Sequence, residues 1–213
     1  GGKLASQTFG KMLEMCNEIN LPLVLMYGQT EASPRMSYLP SEMLSTKGQS
    51  VGVPIPGGQF WLEDAGGRII KEHNHVGELH YSGRNVVLGY AESRVDLIKG
   101  DDFLGKLATG DLARCDEDGY YYVVGRKTRF LKIHGHRVNL DSLEEVLGNY
   151  GFVCVCTGDD KQIDIVVEGD VHRSRIINCL IKNTNLHKSA FSVSVVKTLP
   201  RSVSGKLVYR QAE

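Results

Sequence analysis

Between Ser50 and Tyr122 the chain is punctuated by the turn signals Pro56-Gly57-Gly58, Ala65-Gly66-Gly67 and Asp118-Gly119. The short runs between them, Phe60 to Leu62, Glu78 to Tyr81 and Tyr120 to Val124, have the length of strands. Glycine and proline so placed break helices and permit tight reversals. This stretch reads as an all-β subdomain of hairpins.

The flanks have a different texture. Phe9, Met12, Leu13, Cys16 and Ile19 recur at helical spacing, with Ser6 or Thr8 available to cap and Pro22 to end the helix. Leu23 to Met26 is a continuous apolar run of the kind found in strands buried on both faces. The polar loop Tyr27-Gly28-Gln29-Thr30-Glu31 follows at once, and open α/β sheets place ligands at such strand ends. Beyond Arg126, Asp141 and Glu144 can form a capping box, and Leu143, Val146, Leu147 and Tyr150 share a helical face. Phe152 to Cys156 and Ile163 to Val167 read as strands, and Ile176, Ile177, Leu180 and Ile181 mark a second helix. Phe191, Val193 and Val195 alternate with Ser192 and Ser194, the pattern of a half-buried strand. The predicted fold is therefore α/β with a β-rich subdomain, followed by a small α+β domain of order α-β-β-α-β.

Composition narrows the partners. Lys plus Arg and Asp plus Glu are both 25, so no net field directs the chain to nucleic acid or an anionic membrane. No apolar run reaches the roughly 18 residues of a membrane span. The five cysteines, at 16, 115, 154, 156 and 179, show no disulfide framework and no Cys-x-x-Cys, which points to a reducing cytoplasm. No signal peptide opens the chain, and Gly1 in place of Met reads as a start inside a larger protein.

Four segments in order resemble the adenylate-forming superfamily of acyl-CoA synthetases, peptide-synthetase adenylation domains and luciferases. They are Tyr27-Gly28-Gln29-Thr30-Glu31, Thr109-Gly110-Asp111-Leu112, Gly125-Arg126 through Gly135-His136-Arg137, and Leu199-Pro200-Arg201 through Ser204-Gly205-Lys206. Gly77-Glu78-Leu79 and Gly89-Tyr90 further resemble acyl-CoA synthetases. The resemblance implies an ATP- and Mg²⁺-dependent ligase that forms acyl-AMP and passes the acyl group to CoA or to a carrier protein's phosphopantetheine. Residues 1–125 would be the C-terminal part of the large domain, as a helix-strand unit over 1–49 and the β-rich subdomain over 50–125. A hinge over 126–128 would lead to a mobile small domain over 129–213.

The resemblance also implies roles for single residues. Gly2, in Gly1-Gly2-Lys3, would border the adenine, together with Tyr27, Gly28 and Gln29. Tyr27 offers an aromatic face to the base, a contact worth about 1–3 kcal/mol. Thr30 would reach an α-phosphate oxygen, and Glu31 is a hard oxygen donor for Mg²⁺. Asp111 would accept from the ribose hydroxyls, while Arg126 and Arg137 suit ribose or phosphate oxygens. Lys206 would bridge the substrate carboxylate and the α-phosphate during adenylation. Thr128 stands at the hinge position, where the family often has Asp or Lys, and Gly135 would belong to the face used in thiol transfer.

The family's Gly/Ser/Thr-rich phosphate loop ending in Pro-Lys has no match in these 213 residues. The chain alone is therefore expected to be inactive in adenylation and to expose surface that favours self-association. A carrier-protein-loading adenylation enzyme and a non-catalytic binding module derived from the same fold are the alternatives.

Other signals have plainer readings. Ser204-Gly205-Lys206 fails as a Walker loop, because Leu207 replaces the needed Ser or Thr and Pro200 the first Gly. Asp116-Glu117-Asp118-Gly119 reads as a hairpin turn rather than a calcium loop. His73 with His75 and His134 with His136 lack further metal ligands, Cys154 and Cys156 read as small core residues, and Trp61 reads as a core anchor.

Overall fold

The computed structural model describes residues 6–202 and 207–208. It divides into two compact units, 1–124 and 125–213.

The first unit opens with α1 (Ser6–Glu18), whose end is set by Asn20 in the left-handed region at φ 51°. Leu21 N–H closes onto the Cys16 carbonyl at 2.8 Å, a glycine-like helix stop two residues before Pro22. Three short antiparallel strands follow in the order β1 (Leu25–Tyr27), β2 (Ser37–Leu39) and β3 (Val53–Pro54), with α2 (Leu44–Lys47) between the last two. The apolar run at Leu23 does not become a strand buried on both faces. β1 starts two residues later and leaves Met26 58% exposed, with Val24 at 43% just before it.

The larger sheet has five strands in the order β5-β4-β6-β7-β8: β4 (Gln59–Glu63), β5 (Ile69–Ile70), β6 (Gly77–Ser82), β7 (Lys106–Cys115) and β8 (Tyr121–Arg126). One face carries the core of Phe60, Leu62, Leu79, Tyr81, Leu107 and Ala113, and Ala32 and Met36 from the loop after β1 pack onto it. Alternation along β4 puts Trp61 on the opposite face, half-exposed, where its indole N–H donates to Glu63 Oε1 at 2.6 Å and its ring lies against His80. Trp61 is thus not an anchor of this core. The Asp116–Gly119 turn joins β7 to β8, and Lys47 of α2 grips it through Asp116 and Asp118, each at 2.7 Å.

The second unit begins with a hairpin, β9 (Phe130–Ile133) and β10 (His136–Asn139), whose two-residue loop His134-Gly135 has φ of 47° and 83°. Positive φ at both loop positions matches the right-handed twist of the strands. Then come α3 (Leu140–Asn149), β11 (Cys154–Gly158), β12 (Ile163–Glu168), α4 (Arg173–Asn183) and β13 (Phe191–Val196). β11 and β12 are antiparallel, and β12 pairs in parallel with β13, which the intervening α4 makes possible. On β12, Ile163, Ile165 and Val167 are fully buried while Asp164 is exposed, so the sheet has one packed face. Leu143 and Leu147 of α3 and Ile176 and Leu180 of α4 belong to the same core.

The α-β-β-α-β series is therefore preceded by a hairpin that sequence reasoning missed. Asp141 and Glu144 do not form a capping box. Asn139 caps α3 by accepting from Asp141 N–H at 2.9 Å, and the two acids instead hold Arg129.

Candidate functional site

The loop between paired residues Tyr27 and Ser37 lies on the core face of the five-stranded sheet, through Ala32 and Met36. Gly28 is required there by space: a Cβ would fall 2.1 Å from the Pro34 carbonyl oxygen. Thr30–Ala32 forms a single 3₁₀ turn, closed by Ser33 in the left-handed region at φ 51°.

Opposite this loop, β7 departs from regular pairing. Glu78 pairs with Leu112 but His80 with Ala108, so Leu79 alone faces Thr109, Gly110 and Asp111. Such a bulge leaves ladder groups to be satisfied locally and re-aims side chains. The Thr109 hydroxyl does the first, donating to the Leu79 carbonyl at 2.7 Å and accepting from Asp111 N–H at 3.1 Å. Gly110 supplies the φ of 71° that the bend needs. Asp111 thus lies in the interior of β7 rather than at its end.

The bulge turns the Asp111 carboxylate toward the loop. Its Oδ2 accepts from the Tyr27 hydroxyl at 2.5 Å and from Gln29 Nε2 at 3.1 Å. Gln29 Nε2 also donates to the Thr109 carbonyl at 2.8 Å. Asp111 is only 4% exposed, and a carboxylate that far from water needs such donors. The Tyr27 ring packs at 6.3 Å from Phe60, which orients it from below.

A second contact set surrounds Glu31. Its Oε1 accepts from the Tyr90 hydroxyl at 2.8 Å, and its backbone carbonyl accepts from Val87 N–H at 2.9 Å. Donation to that carboxylate, more than burial, holds the Tyr90 hydroxyl above the usual tyrosine pKa. Asn85 ties down the same loop by donating to the Ala32 and Arg35 carbonyls at 2.6 and 2.8 Å, while accepting from the Tyr81 hydroxyl at 2.8 Å. A half-exposed carboxylate on a braced turn fits Mg²⁺, which takes one or two such ligands and keeps waters.

Thr30 is exposed at the start of its turn. Arg126, Thr128, Gly135 and Arg137 belong to the second unit. There, Arg126 N–H donates to Asp141 Oδ2 at 3.4 Å, and Thr128 is exposed within the 3₁₀ turn Lys127–Arg129. Gly135 is in the β9–β10 turn, and the Arg137 guanidinium lies 4.4 Å from the Phe130 ring centre. Gly2 and Lys206 lie outside the described residues; Leu207, next in the chain, bridges to Arg201.

The structure thus unites Tyr27, Gln29 and Asp111 and sets Glu31 in the same loop. Sequence reasoning missed Thr109, Asn85 and Tyr90 as supports. Thr109 and Tyr90 stood inside recognised motifs, whereas Asn85 carried no local signal. No group of three or more His, Cys, Asp or Glu side chains suited to a metal occurs among the described residues. Nor is any helix among them long and apolar enough to cross a membrane.

Comparison with known proteins bears on this geometry. Residues 1–91 match the family model described as AMP-binding enzyme. The 2-succinylbenzoate–CoA ligase of Bacillus mycoides (strain KBAB4) is 30% identical over 209 residues, covering 94% of this chain and 43% of the relative. The same values hold for the ligase of that name in Bacillus cereus (strain Q1). Among solved structures, o-succinylbenzoate coenzyme A synthetase from Bacillus subtilis in complex with AMP has a TM-score of 0.70 at 25% identity, over 92% of this chain and 42% of that one. The same enzyme with ATP and magnesium ion gives 0.71 at 24%, over 97% and 44%. The chain thus spans less than half the length of the relatives it matches.

Proposed function

We propose, for a chain that belongs to the adenylate-forming superfamily, that it supplies the nucleoside-holding loop and the small domain of an AMP-forming acid–thiol ligase. In the first half-reaction a carboxylate oxygen attacks the α-phosphorus of ATP and pyrophosphate leaves, giving acyl-AMP. In the second, a thiol sulfur attacks the acyl carbon and AMP departs with the bonding pair. CoA is the proposed thiol, because the relatives matched over 94% of the chain are CoA ligases. Cytoplasmic action on a small carboxylic acid completes the proposal.

The observation that carries this reading is the convergence of Tyr27, Gln29 and Asp111 at a strand bulge. A buried carboxylate held at one oxygen by a phenol is suited to accept ribose hydroxyls, beside a ring face suited to adenine. Gly28 keeps the loop backbone low there, and Gly2 would border the base. Thr30 would donate to the α-phosphate, and Glu31 would hold Mg²⁺, which when bound offsets phosphate charge. Arg126 and Arg137 would meet ribose or phosphate from the second unit. Lys206 would place its ammonium where charge builds as the acyl–phosphate bond forms, acting on the barrier rather than on ground-state binding. Thr128 would be the pivot that exchanges the Lys206 face for the Gly135 face between half-reactions, since a few element-terminal residues can absorb such rotation.

The test is pyrophosphate release by the full-length protein across a panel of carboxylic acids, first without an acceptor, then with CoA or a phosphopantetheinylated carrier protein. Acid-dependent pyrophosphate release followed by acyl-CoA formation is expected. AMP binding that is indifferent to Asp111→Asn, with no pyrophosphate from any acid, would overturn the reading. The 213-residue chain by itself is expected to release none.

A further inference from the structure

The Tyr90 contact has a meaning of its own. Glu31 sits in a three-residue turn, and a free glutamate side chain loses rotamer entropy when it is fixed. Among the described residues its carboxylate has one side-chain partner, the Tyr90 hydroxyl on Oε1 at 2.8 Å. The segment that supplies Tyr90 also binds the Glu31 backbone, through Val87 N–H. Tyr90 is itself braced: its ring meets Phe103 edge-on at 5.5 Å and 90°. Phe103 is tied back to the same segment, its N–H reaching the Leu88 carbonyl at 3.3 Å, with Asp102 N–H on that oxygen at 2.7 Å.

We infer that Tyr90 is a positioning residue that holds the Glu31 carboxylate by Oε1 and so presents Oε2 to a nucleotide-bound divalent cation. The inference rests on the reading of Glu31 as the Mg²⁺ ligand. Mg²⁺ demands near-ideal octahedral geometry, so a carboxylate fixed in advance binds it better than one that must be ordered. Partners that orient a metal ligand typically change metal affinity by about 10–100-fold. Because Tyr90 is 63% exposed, the lower end is expected, about tenfold.

The experiment uses the full-length protein with Tyr90→Phe, Glu31→Gln and the double variant. Mn²⁺ affinity is read by electron paramagnetic resonance with a non-hydrolysable ATP analogue, and AMP affinity is measured without metal. Tyr90→Phe keeps the ring against Phe103. It should weaken Mn²⁺ about tenfold, leave AMP affinity unchanged, and regain adenylation rate at high Mg²⁺. Glu31→Gln should weaken Mn²⁺ further, and the double variant should be no weaker than Glu31→Gln. Wild-type Mn²⁺ affinity in Tyr90→Phe beside weakened binding in Glu31→Gln would overturn the role of Tyr90 alone. Unchanged binding in Glu31→Gln would overturn the reading of Glu31 as well. Parallel loss of AMP and Mn²⁺ binding in Tyr90→Phe would reduce Tyr90 to a structural contact.

Discussion

Tyr27 and Asp111, 84 positions apart, share a hydrogen bond of 2.5 Å that joins the loop after β1 to the bulge of β7. Neither residue is arranged by its immediate neighbours alone. Tyr27 is set by pairing with Ser37, and Asp111 by the two-residue excess of β7 over β6. A nucleoside entering here would meet an acceptor and a ring already fixed relative to each other, so little ordering cost remains at binding.

Asp111→Asn should therefore weaken AMP binding by about 1.5–3 kcal/mol, the range for hydrogen bonds to charged groups. The check is a cycle with 2′,3′-dideoxy-AMP. Wild type should lose affinity on removal of the hydroxyls, and Asp111→Asn should lose little more. Equal losses in both proteins would mean that Asp111 does not read the ribose.

Lys206→Met in the full-length protein should slow acyl-AMP formation by roughly 10²–10³-fold, by analogy with the loss of one preorganised donor. Thioester formation from supplied acyl-AMP should be nearly unchanged. Single-turnover measurement of each half-reaction separates the two, and equal slowing would remove the assigned role.

Arg129 holds the second unit together near its start. Its guanidinium meets Asp141 Oδ1 at 2.7 Å, Glu144 Oε1 at 2.5 Å and the Cys156 carbonyl at 2.8 Å, and Glu144 Oε1 also accepts Cys156 N–H at 2.7 Å. Its side chain is 14% exposed and that of Glu144 16%. Arg129→Met should destabilise this unit by about 3–5 kcal/mol, as when a buried pair loses one member. Urea unfolding followed by a probe in the second unit would measure it; a loss below about 1 kcal/mol, the level of a surface pair, would show the cluster to be solvated.

The Lys47 clamp predicts a pH dependence. Hydrogen bonds that Lys47 donates to Asp116 and then Asp118 hold its ammonium pKa above the ordinary lysine value. Burial opposes ionisation of Asp116, but Lys47 and the Tyr120 and Tyr122 donors outweigh it and leave that carboxyl below its ordinary value. A depressed carboxylate contributes stability that is present above its unfolded pKa of about 3.9 and is lost as pH falls through the lower folded value. A raised lysine contributes stability that is complete below about pH 10.4 and is lost as pH rises through its folded value. Lys47→Met should lower Tm at pH 7, and the gap to wild type should shrink as pH falls below the unfolded value of about 3.9 and through the lowered Asp116 value. A gap of the same size at pH 2 would assign the effect to packing.

Much of this architecture was legible where one periodicity dominates. Ile163 to Val167 and Phe191 to Val195 alternate cleanly, and both became strands. The loop at Tyr27 was legible because a polar segment follows an apolar run. Burial was not, since Val24 and Met26 have the composition of a core without a covering layer among the described residues. Trp61 fell on the outer face because hydrophobicity does not say which parity of a strand faces inward. The Asp111 bulge depends on a mismatch with β6 that no local window contains. Asp141 and Glu144 had capping-box spacing, but Asn139 reached the helix start first and the partly buried Arg129 drew both acids away.

The two surplus residues of β7 make chain length a determinant of chemistry. Deleting Gly110 alone would leave two residues opposite Leu79 in place of three, a tighter bulge that re-aims Asp111 away from its place beside Tyr27. Deleting two residues would heal the ladder into an unbroken strand, with no outward step from which a carboxylate could lean. An indel scan across 109–111 would therefore be harsher than any substitution scan of the same positions, and a shortened natural variant should have the fold without the grip.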